Sequence, residues 1–236
     1  MPEDHFGEDV AVRYDAGSPE MFDPAVLGPT VDFLAGLAGN GAALEFAIGT
    51  GRVALPLSER GVAVHGIDLS EAMVARLRAK PGAERVQVTI GDIATTRVDG
   101  GFALVYLVFN TIGNLTTQDG QVACFQNAAA HLEPGGCFVI ELGFGRDAPL
   151  EVFDLSETHV GIDERDAATQ RLVSHHFSLV DGRWVRNSLP FRSVGPGELD
   201  LMARLAGMRL RERWSDWKRE PFTSESTKHV SVWEKP

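Results

Sequence analysis

The residues best suited to hold a ligand lie in the stretch 44–54, which contains Glu45, Gly49, Gly51 and Ala54. The apolar run before Gly49 is typical of a strand that is covered on both faces. The two glycines allow a sharp turn and let a ligand approach the backbone. A helix that begins after this turn directs its free N–H groups at the ligand, which favours a carboxylate or a phosphate. The stretch therefore predicts a binding site at a strand–turn–helix junction.

The spacing of Gly49, Gly51 and Ala54 fits the G-x-G-x-x-A fingerprint of dinucleotide-binding proteins. Glu45 argues for another ligand, because a carboxylate four residues before Gly49 would face the pyrophosphate of a dinucleotide. A ligand that carries an amino group can use that carboxylate instead. The glycine spacing leaves both ligand classes open, and Glu45 favours the second.

Four acidic residues stand at or near the ends of predicted strands: Glu45, Asp68, Asp92 and Glu141. In a parallel sheet with helices on both faces, ligands bind beyond the carboxyl ends of the strands. We therefore expect these carboxylates to gather at one edge of the sheet, as a polar ligand lying across that edge requires.

The order of the predicted elements indicates an α/β fold. A helix begins at Asp23, its N-cap, with Pro24 in the first helical position, and it ends at Gly39. Strands and helices alternate from there on, which predicts a Rossmann-like, doubly wound sheet. The predicted parallel strands cover residues 42–48, 62–68, 85–90, 102–109 and 137–142.

The pattern changes after residue 145. Three extended segments, with Asp181-Gly182 as a hairpin turn, predict a small antiparallel β insertion that covers the cleft. A helix opened by Pro196 and two final strands complete one domain. The segments cover residues 157–165, 170–180 and 183–193, and the domain divides into 1–40 (N-terminal cap and helix), 41–145 (cofactor-binding core), 146–195 (insertion and substrate lid) and 196–236 (C-terminal helix and strand pair).

Four blocks of sequence, taken together and in this order, resemble the class I S-adenosylmethionine-dependent methyltransferases, in particular a bacterial small-molecule subgroup. The resemblance covers nearly the whole chain. It implies a seven-stranded sheet whose last strand is antiparallel, with S-adenosylmethionine as the cofactor and S-adenosylhomocysteine as the product. The blocks are LEFAIGTGR at 44–52, GIDLSEAM at 66–73, IGDI at 90–93 and HLEPGG at 131–136.

The same resemblance implies roles for individual residues. Glu45 would face the methionine amino group of the cofactor, and Asp68 would accept hydrogen bonds from both ribose hydroxyls. Ala47 departs from the pattern, because many members have glycine there. The other expected contacts are Ala47, Gly49 and Gly51 in the floor, Leu69 and Met73 on the adenine, Asp92 and Ile93 on its polar edge, Val108 and Phe109 under the methionine part, and Tyr14 closing over the cofactor.

The acceptor side is less constrained by the sequence. Methyl transfer is an in-line displacement that depends mainly on positioning, and a general base helps when the acceptor is a hydroxyl or an ammonium group. Our candidate catalytic residues are Asn110, Glu141, His175 and His176, with Asn110, Glu141 and Arg192 as substrate-binding candidates. His175 and His176 must point to opposite faces of an extended strand.

The composition limits the classes of molecule that the protein is expected to bind. The net charge of −11 argues against broad contact with nucleic acid. We expect a small-molecule acceptor, no nucleic acid and no membrane partner, no metal, and a cytoplasmic protein that is a monomer or a homodimer. The two cysteines do not suggest a disulfide framework.

Three alternatives stay open at this point. A nicotinamide-dependent oxidoreductase would need a hydride-site acid such as a Tyr-x-x-x-Lys pair, and neither Tyr14 nor Tyr106 has a lysine four residues later. A base-modifying nucleic-acid methyltransferase often carries Asn/Asp-Pro-Pro-aromatic, whereas the sequence after the fourth strand is Asn110-Thr111-Ile112. A non-catalytic protein that binds S-adenosylmethionine is compatible with every motif.

Overall fold

The computed structural model describes residues 4–17, 19–143 and 148–236. Its α-helices are α1 (Glu8–Gly17), α2 (Pro24–Ala38), α3 (Ala54–Glu59), α4 (Glu71–Arg78), α5 (Gln118–His131) and α6 (Pro196–Leu205). Its strands are β1 (Ala43–Phe46), β2 (Val64–Asp68), β3 (Val86–Ile90), β4 (Phe102–Leu107), β5 (Leu132–Gly143), β6 (Leu150–Leu155), β7 (His159–Asp166), β8 (Arg171–Val180), β9 (Arg183–Arg192), β10 (Arg209–Trp214) and β11 (Lys228–Glu234). Short 3₁₀ segments lie at Pro19–Phe22, Ala83–Arg85 and Thr111–Asn114.

The main sheet confirms the predicted fold class. Its seven strands run in the order β10-β11-β5-β4-β1-β2-β3. Strands β1 to β5 are parallel, and β11 pairs antiparallel with both β5 and β10. The carboxyl ends of the five parallel strands therefore share one edge, which brings the four acidic strand-end residues to that edge.

The helix boundaries follow local signals in the sequence. The Asp23 carboxylate accepts a hydrogen bond from the backbone N–H of Ala25 at 2.8 Å, and the Ser70 hydroxyl accepts one from Met73 at 3.3 Å. Each cap satisfies an N–H that has no partner inside its helix. The predicted beginnings of α2 and α4 are therefore correct.

The sheet is buried on both faces. One face packs against α2 and α3 through residues such as Leu34, Leu57 and Val139. The opposite face packs against α5 and α6, where Phe125 lies edge-to-face with Phe138 and Trp233 at centroid distances of 5.0 and 5.3 Å. These two apolar layers fix the sheet edge that carries the acidic residues.

The insertion differs from the prediction in its number of strands. Strands β6, β7, β8 and β9 form a separate antiparallel sheet, so the expected count of three was too low. The missed strand is β6, whose exposed side chains and bulge at Phe153 give no clean apolar–polar alternation. The N-terminal segment also forms a helix, α1, that the sequence pattern did not predict. The predicted boundary at 145/146 lies outside the described residues.

A substitution at Gly66 tests how tightly β2 packs against Ile48, which follows β1. A Cβ at Gly66 would lie 2.3 Å from Cδ1 and 2.7 Å from Cβ of Ile48. We expect Gly66→Ala to lower the free energy of unfolding by about 1–3 kcal/mol, because the buried methyl overpacks this contact. Urea denaturation measures the change.

Gly36→Ala is the matched control, since no heavy atom lies within 4 Å of the added Cβ in helix α2. This variant should gain up to about 1 kcal/mol from better helix propensity. Equal stability of the two variants would contradict the packing argument.

Candidate functional site

The turn after β1 has three residues in the left-handed backbone region. Ala47, Gly49 and Gly51 have φ angles of 56°, 56° and 77°. A Cβ at Gly51 would lie 2.9 Å from two side-chain carbons of Leu77, so this position excludes any side chain. Ala47 adopts the same region at a cost of roughly 1–2 kcal/mol. The backbone is therefore held in the turn geometry even where the expected glycine is absent.

Asp68 joins this turn to the end of β2. One carboxylate oxygen of Asp68 accepts a hydrogen bond from the N–H of Gly49 at 2.6 Å, and the other accepts one from Ser70 at 2.8 Å. The side chain is 7% exposed, and this burial raises the pKa of Asp68 above its usual value. Because each carboxylate oxygen has two lone pairs, both oxygens keep capacity to accept from ligand hydroxyls.

Glu45 and Tyr106 form a buried pair beside the turn. The two residues are register partners on β1 and β4, and the Tyr106 hydroxyl donates to the Glu45 carboxylate at 2.9 Å. Burial raises the pKa of Glu45 to about 8, against smaller lowering effects of the Tyr106 hydrogen bond and the Arg52 charge. Glu45 is therefore mostly protonated at neutral pH, and a cation placed beside it would favour its ionised form.

The N-terminal helix α1 is fastened over the turn by Asp15. One oxygen of this carboxylate accepts from the Thr50 hydroxyl at 2.6 Å, and the other pairs with the Lys80 ammonium at 2.5 Å. Lys80 also donates to the Thr50 carbonyl at 2.7 Å. The sequence analysis missed Asp15 and Lys80, because their contacts are long-range. Asp15 is 35 positions before Thr50 in the chain, and Lys80 is 30 positions after it.

Tyr14 lies on α1 close to the same site. Its pKa is raised by burial, with electrostatic contributions from Arg52, Asp68 and Asp15. Its ring contacts Phe6 edge-to-face at 6.2 Å, and the Phe6 carbonyl accepts a hydrogen bond from the Ser70 hydroxyl at 2.6 Å. The structure thus brings Tyr14 near Asp68, and its role in covering the cofactor stays a prediction.

The residues expected around the adenine lie at the ends of β2 and β3. Met73 and Ile93 are buried, whereas Leu69 and Asp92 are half-buried. Asp92 accepts from the N–H of Ala94 at 2.8 Å, and the Ile93 carbonyl accepts from Asn127 at 2.7 Å. These hydrogen bonds hold the loop after β3 and leave Asp92 partly open to solvent.

The loop after β4 is strained and is held by Glu141. Phe109 and Asn110, which follow the buried Val108, have φ angles of 58° and 62°. Glu141 accepts from the N–H of Phe109 at 3.1 Å and from the Trp217 indole at 2.9 Å. Both of its oxygens therefore bind the protein, which is a positioning arrangement.

A cavity of about 740 Å³ lies between this loop and the insertion. Asn110 and Gly143 line it from the main sheet, and Phe153, Ser174 and Arg192 line it from the insertion. The Asn110 amide oxygen accepts from the N–H of Gly143 at 2.6 Å. The cavity thus begins at the same sheet edge as the carboxylates.

Arg192 is buried at the wall of this cavity. It pairs with Glu198 at 2.6 Å and donates to the side chains of Gln121 and Gln170. Its guanidinium therefore ties the end of β9 to α5 and α6. This arrangement accounts for its burial and leaves a substrate-binding role as a prediction.

The two adjacent histidines contact different partners, as expected for an extended strand. His175 bonds Ser188 at 2.8 Å and Glu164 at 3.3 Å. His176 bonds His159 at 3.2 Å and Ser174 at 3.3 Å. Ser174 lines the cavity, so His176 lies on the cavity face and His175 on the opposite face.

Neither a metal cluster nor a membrane span is found in the ranges that the structure describes. No group of three or more His, Cys, Asp or Glu side chains is arranged there to hold a metal ion. No helix among these residues is both long and apolar enough to cross a bilayer. The expectation that no metal takes part stays a prediction.

The side chains at the sheet edge suit the cofactor that the sequence resemblance implies. Glu45 and Asp68 are 3% and 7% exposed, and within the described chain neither forms an ion pair. A cationic amino group beside Glu45 and hydroxyls beside Asp68 would each gain a buried acceptor. At Gly49 the positive φ of 56° favours glycine, and a Cβ there would lie in contact with Met73 at 3.4 Å.

Comparisons with known proteins agree with this geometry. A family model described as "Methyltransferase domain" matches residues 43–136. The solved structure of the CcbJ methyltransferase from Streptomyces caelestis superposes with a TM-score of 0.87, at 34% identity over 99% of both chains. The cypemycin N-terminal methyltransferase of a Streptomyces species is 25% identical over 94% of this chain and 97% of its own length.

A further relative from Streptomyces venezuelae is a dTDP-3-amino-3,4,6-trideoxy-alpha-D-glucopyranose N,N-dimethyltransferase. It is 30% identical over 66% of this chain and 62% of its own length. The similarity thus extends from the sheet core to whole-chain matches.

Glu45→Gln should change the pH dependence of stability. Between pH 4.5 and about 8 the unfolded chain has released a proton that folded Glu45 keeps, so its contribution to stability falls as the pH rises. The variant should therefore gain stability over the wild type by up to about 1.4 kcal/mol for each pH unit in this window. Urea unfolding at pH 5, 6, 7 and 8 measures this difference, and a gain that is constant with pH would contradict it.

Asp15→Asn should loosen helix α1, because it removes the charge that pairs with Lys80. Trypsin cleavage after Arg13 should become about fivefold faster, the change expected for roughly 1 kcal/mol of lost local stability. Asp9→Asn, an exposed position in the same helix, is the control and should be cleaved at the wild-type rate. Equal rates for both variants would mean that Asp15 does not fasten the helix.

Proposed function

The chain belongs to the class I S-adenosylmethionine-dependent methyltransferases, and from that premise we propose that it methylates an amine nitrogen of a small-molecule acceptor. The observation that carries this proposal is the cavity of about 740 Å³ that opens at the carboxyl edge of the main sheet. Small-molecule sites have volumes of roughly 300–1,000 Å³. The acceptor would occupy this cavity and meet the cofactor beside Asn110.

We propose that different residues of the site bind different groups of the cofactor. We assign the methionine amino group to Glu45, the ribose hydroxyls to Asp68 and the adenine amino group to Asp92. Tyr14, on the helix fastened by Asp15, would cover the bound cofactor. When bound, S-adenosylmethionine supplies a methyl group on a positively charged sulfur, which leaves as a neutral thioether.

Several features favour a small amine as the acceptor. The names of two relatives support this choice: one is an N-terminal methyltransferase, and the other is an N,N-dimethyltransferase of a dTDP-linked 3-amino sugar. The cavity lining carries more acids than bases. Its acids are Glu151, Asp163 and Asp166, against Arg165 and Arg192.

Both arginines are paired with acids, so their charges are compensated, and the lining carboxylates keep further lone pairs that can accept from a donor-rich ligand. Arg165 lies 2.9 Å from Asp163 and 3.7 Å from Glu151, and Arg192 pairs with Glu198. The net charge of −11 supports the exclusion of nucleic acid, and we propose a cytoplasmic location. The acceptor is therefore a small polar molecule whose amine reaches past Asn110.

The chain accelerates transfer mainly by positioning. The strained loop at Phe109 and Asn110, held by Glu141 and Gly143, fixes the wall between the two ligands. A fixed wall favours an acceptor nitrogen in line with the methyl group and shields both from water. A neutral amine becomes cationic once it has taken the methyl group, so the acceptor side also needs a proton acceptor.

Calorimetric titration tests the cofactor assignment. Wild-type protein should bind S-adenosylmethionine and S-adenosylhomocysteine, and NAD(P)H should give no heat. Asp68→Asn should weaken binding by about 10- to 100-fold, because it removes a charged acceptor of two ligand hydroxyls. Asp99→Asn, on an exposed loop, is the control. Unchanged binding by Asp68→Asn would contradict the assignment.

The acceptor class is tested by mass spectrometry after incubation with S-adenosylmethionine. Amino sugars and peptides with free N-termini should gain methyl groups, and their hydroxyl analogues should not. Tight cofactor binding with no methylated amine in either panel would indicate a non-catalytic binding protein.

A further inference from the structure

The insertion carries a row of four hydrogen-bonded side chains that ends at the cavity. The Asp154 carboxylate lies 2.6 Å from Nδ1 of His159, and Nε2 of His159 lies 3.2 Å from Nδ1 of His176. Nε2 of His176 lies 3.3 Å from the hydroxyl of Ser174. Ser174 lines the cavity and is 7% exposed. At the other end, the side chains of His159 and Asp154 are 27% and 48% exposed.

Strand register explains why these residues share one face. Gly161 on β7 is opposite both His176 on β8 and Asp154 on β6, and Asp163 is opposite Ser174. Residues two apart on a strand point to the same side, so the row crosses the sheet on its cavity face.

Gly161 and Phe153 shield the middle of the row. A Cβ at Gly161 would lie 2.3 Å from the Phe153 ring, so the glycine allows that ring to lie flat on the sheet. The ring then contacts His176 edge-to-face at 5.4 Å. The protein thus covers the histidine pair with apolar surface on the cavity side.

The hydrogen bonds can all run in one direction. Asp154 is an acceptor, so Nδ1 of His159 donates to it and Nε2 of a neutral His159 accepts from His176. Nε2 of a neutral His176 then accepts from the Ser174 hydroxyl. One assignment of protons satisfies all three contacts and leaves the Ser174 oxygen free to accept from a ligand in the cavity.

We propose that Ser174, His176, His159 and Asp154 form a proton relay that removes the acceptor's proton from the cavity; this inference rests on the proposed amine methylation. The nitrogen lone pair forms the N–C bond as the C–S bond breaks, and the bonding electrons stay on sulfur. The methylated nitrogen is now cationic and gives a proton to the Ser174 oxygen.

The proton then moves along the row. The hydroxyl proton of Ser174 passes to Nε2 of His176, and the Nδ1 proton of His176 passes to Nε2 of His159. Asp154 stabilises the resulting imidazolium, whose Nδ1 proton is released to water. The two neutral rings then return to their Nδ1–H tautomers, so the row is restored and one proton leaves for each methyl group transferred. This arrangement extends the logic of a hydroxyl–imidazole–carboxylate triad by one histidine.

The charges around His176 suit this role. Burial and then the neighbouring His159 lower the pKa of His176, so this imidazole is neutral at pH 7 and able to take a proton. Asp163 and Asp154 act in the opposite direction, and His175 has a small lowering effect. The residue opposite His176 on strand β9 is Asn187, whose side chain does not titrate.

The other face of the sheet supplies a matched control. There His175 bonds Ser188 and Glu164, the same kinds of residue in a similar arrangement. Neither Ser188 nor Glu164 lines the cavity. A purely structural effect of losing a serine or an acid in this sheet should therefore be similar on both faces.

The first test is the pH profile of methyl transfer, with cofactor binding measured in parallel. Ser174→Ala should lower kcat by about 10-fold and His176→Gln by about 100-fold, within the range for loss of a proton acceptor. In the wild type, the pH profile of kcat should fall at low pH for two reasons: protonation of the acceptor amine and protonation of His176. Both variants should lose the fall that is due to His176. Asp154→Asn should move that fall to lower pH, because the imidazolium loses its stabilising charge.

Ser188→Ala and Glu164→Gln should keep the wild-type rate and profile. Amine methylation with the same pH profile in wild type and Ser174→Ala would overturn the relay and leave the proposed function intact. Failure of the wild type to methylate any amine would overturn both.

The second test does not depend on methyl transfer. Nitrogen-15 NMR of the histidine rings in the cofactor-free protein should show His176 as the Nδ1–H tautomer. The pKa of His176 should fall in Asp154→Asn and stay constant in Glu164→Gln. Equal populations of the two tautomers, or the same pKa in Asp154→Asn as in wild type, would overturn the relay.

Discussion

The site depends on the hydrogen bond that Gly49 donates to Asp68. This 2.6 Å contact joins the turn after β1 to the end of β2, and it holds the Asp68 carboxylate at the sheet edge with both oxygens ordered. Ala47, Gly49 and Gly51 all adopt the left-handed region in this turn, and the Gly49 N–H points from it to Asp68 at the end of β2. The arrangement of the cofactor site follows from this junction.

The strand-end carboxylates have two different physical roles. Glu45 and Asp68 are buried with raised pKa values and free acceptor capacity, so they are suited to bind ligand groups. Glu141 uses both oxygens within the protein and fixes the loop after β4. Asp15, on the N-terminal helix, fastens a cover over the turn. Residue type alone does not distinguish these roles, because hydrogen-bond partners decide them.

The two faces of the four-stranded sheet β6–β9 carry similar side chains but differ in their position relative to the cavity. Both faces of β8 carry a histidine that bonds a serine, and each row continues to an acid. Ser174 lines the cavity, whereas Ser188 and Glu164 are not among the described residues that line it. Arg192 at the end of β9 ties the insertion to the main domain through Glu198. In the proposed relay, docking of the insertion against the main domain would determine which row serves the acceptor.

The sequence by itself determined the fold class, the order of strands and helices, and the edge at which Glu45, Asp68 and Asp92 meet. These features follow from local signals: apolar periodicity, the caps at Asp23 and Ser70, and the glycine turn. Each signal lies within a few residues, so it can be read without knowing the rest of the chain.

Only the tertiary structure decided which groups pair across the chain. Glu45 and Tyr106 are 61 positions apart, and His159 and His176 are 17 apart, so their contacts depend on strand register. The contact of Asp15 with Thr50 was missed for the same reason. Strand β6 was missed for a local reason, because its exposed side chains and its bulge give no clean apolar–polar alternation. Strand register and the docking of the insertion are determined by the packing of whole elements against each other, so they cannot be predicted from a local pattern of residues.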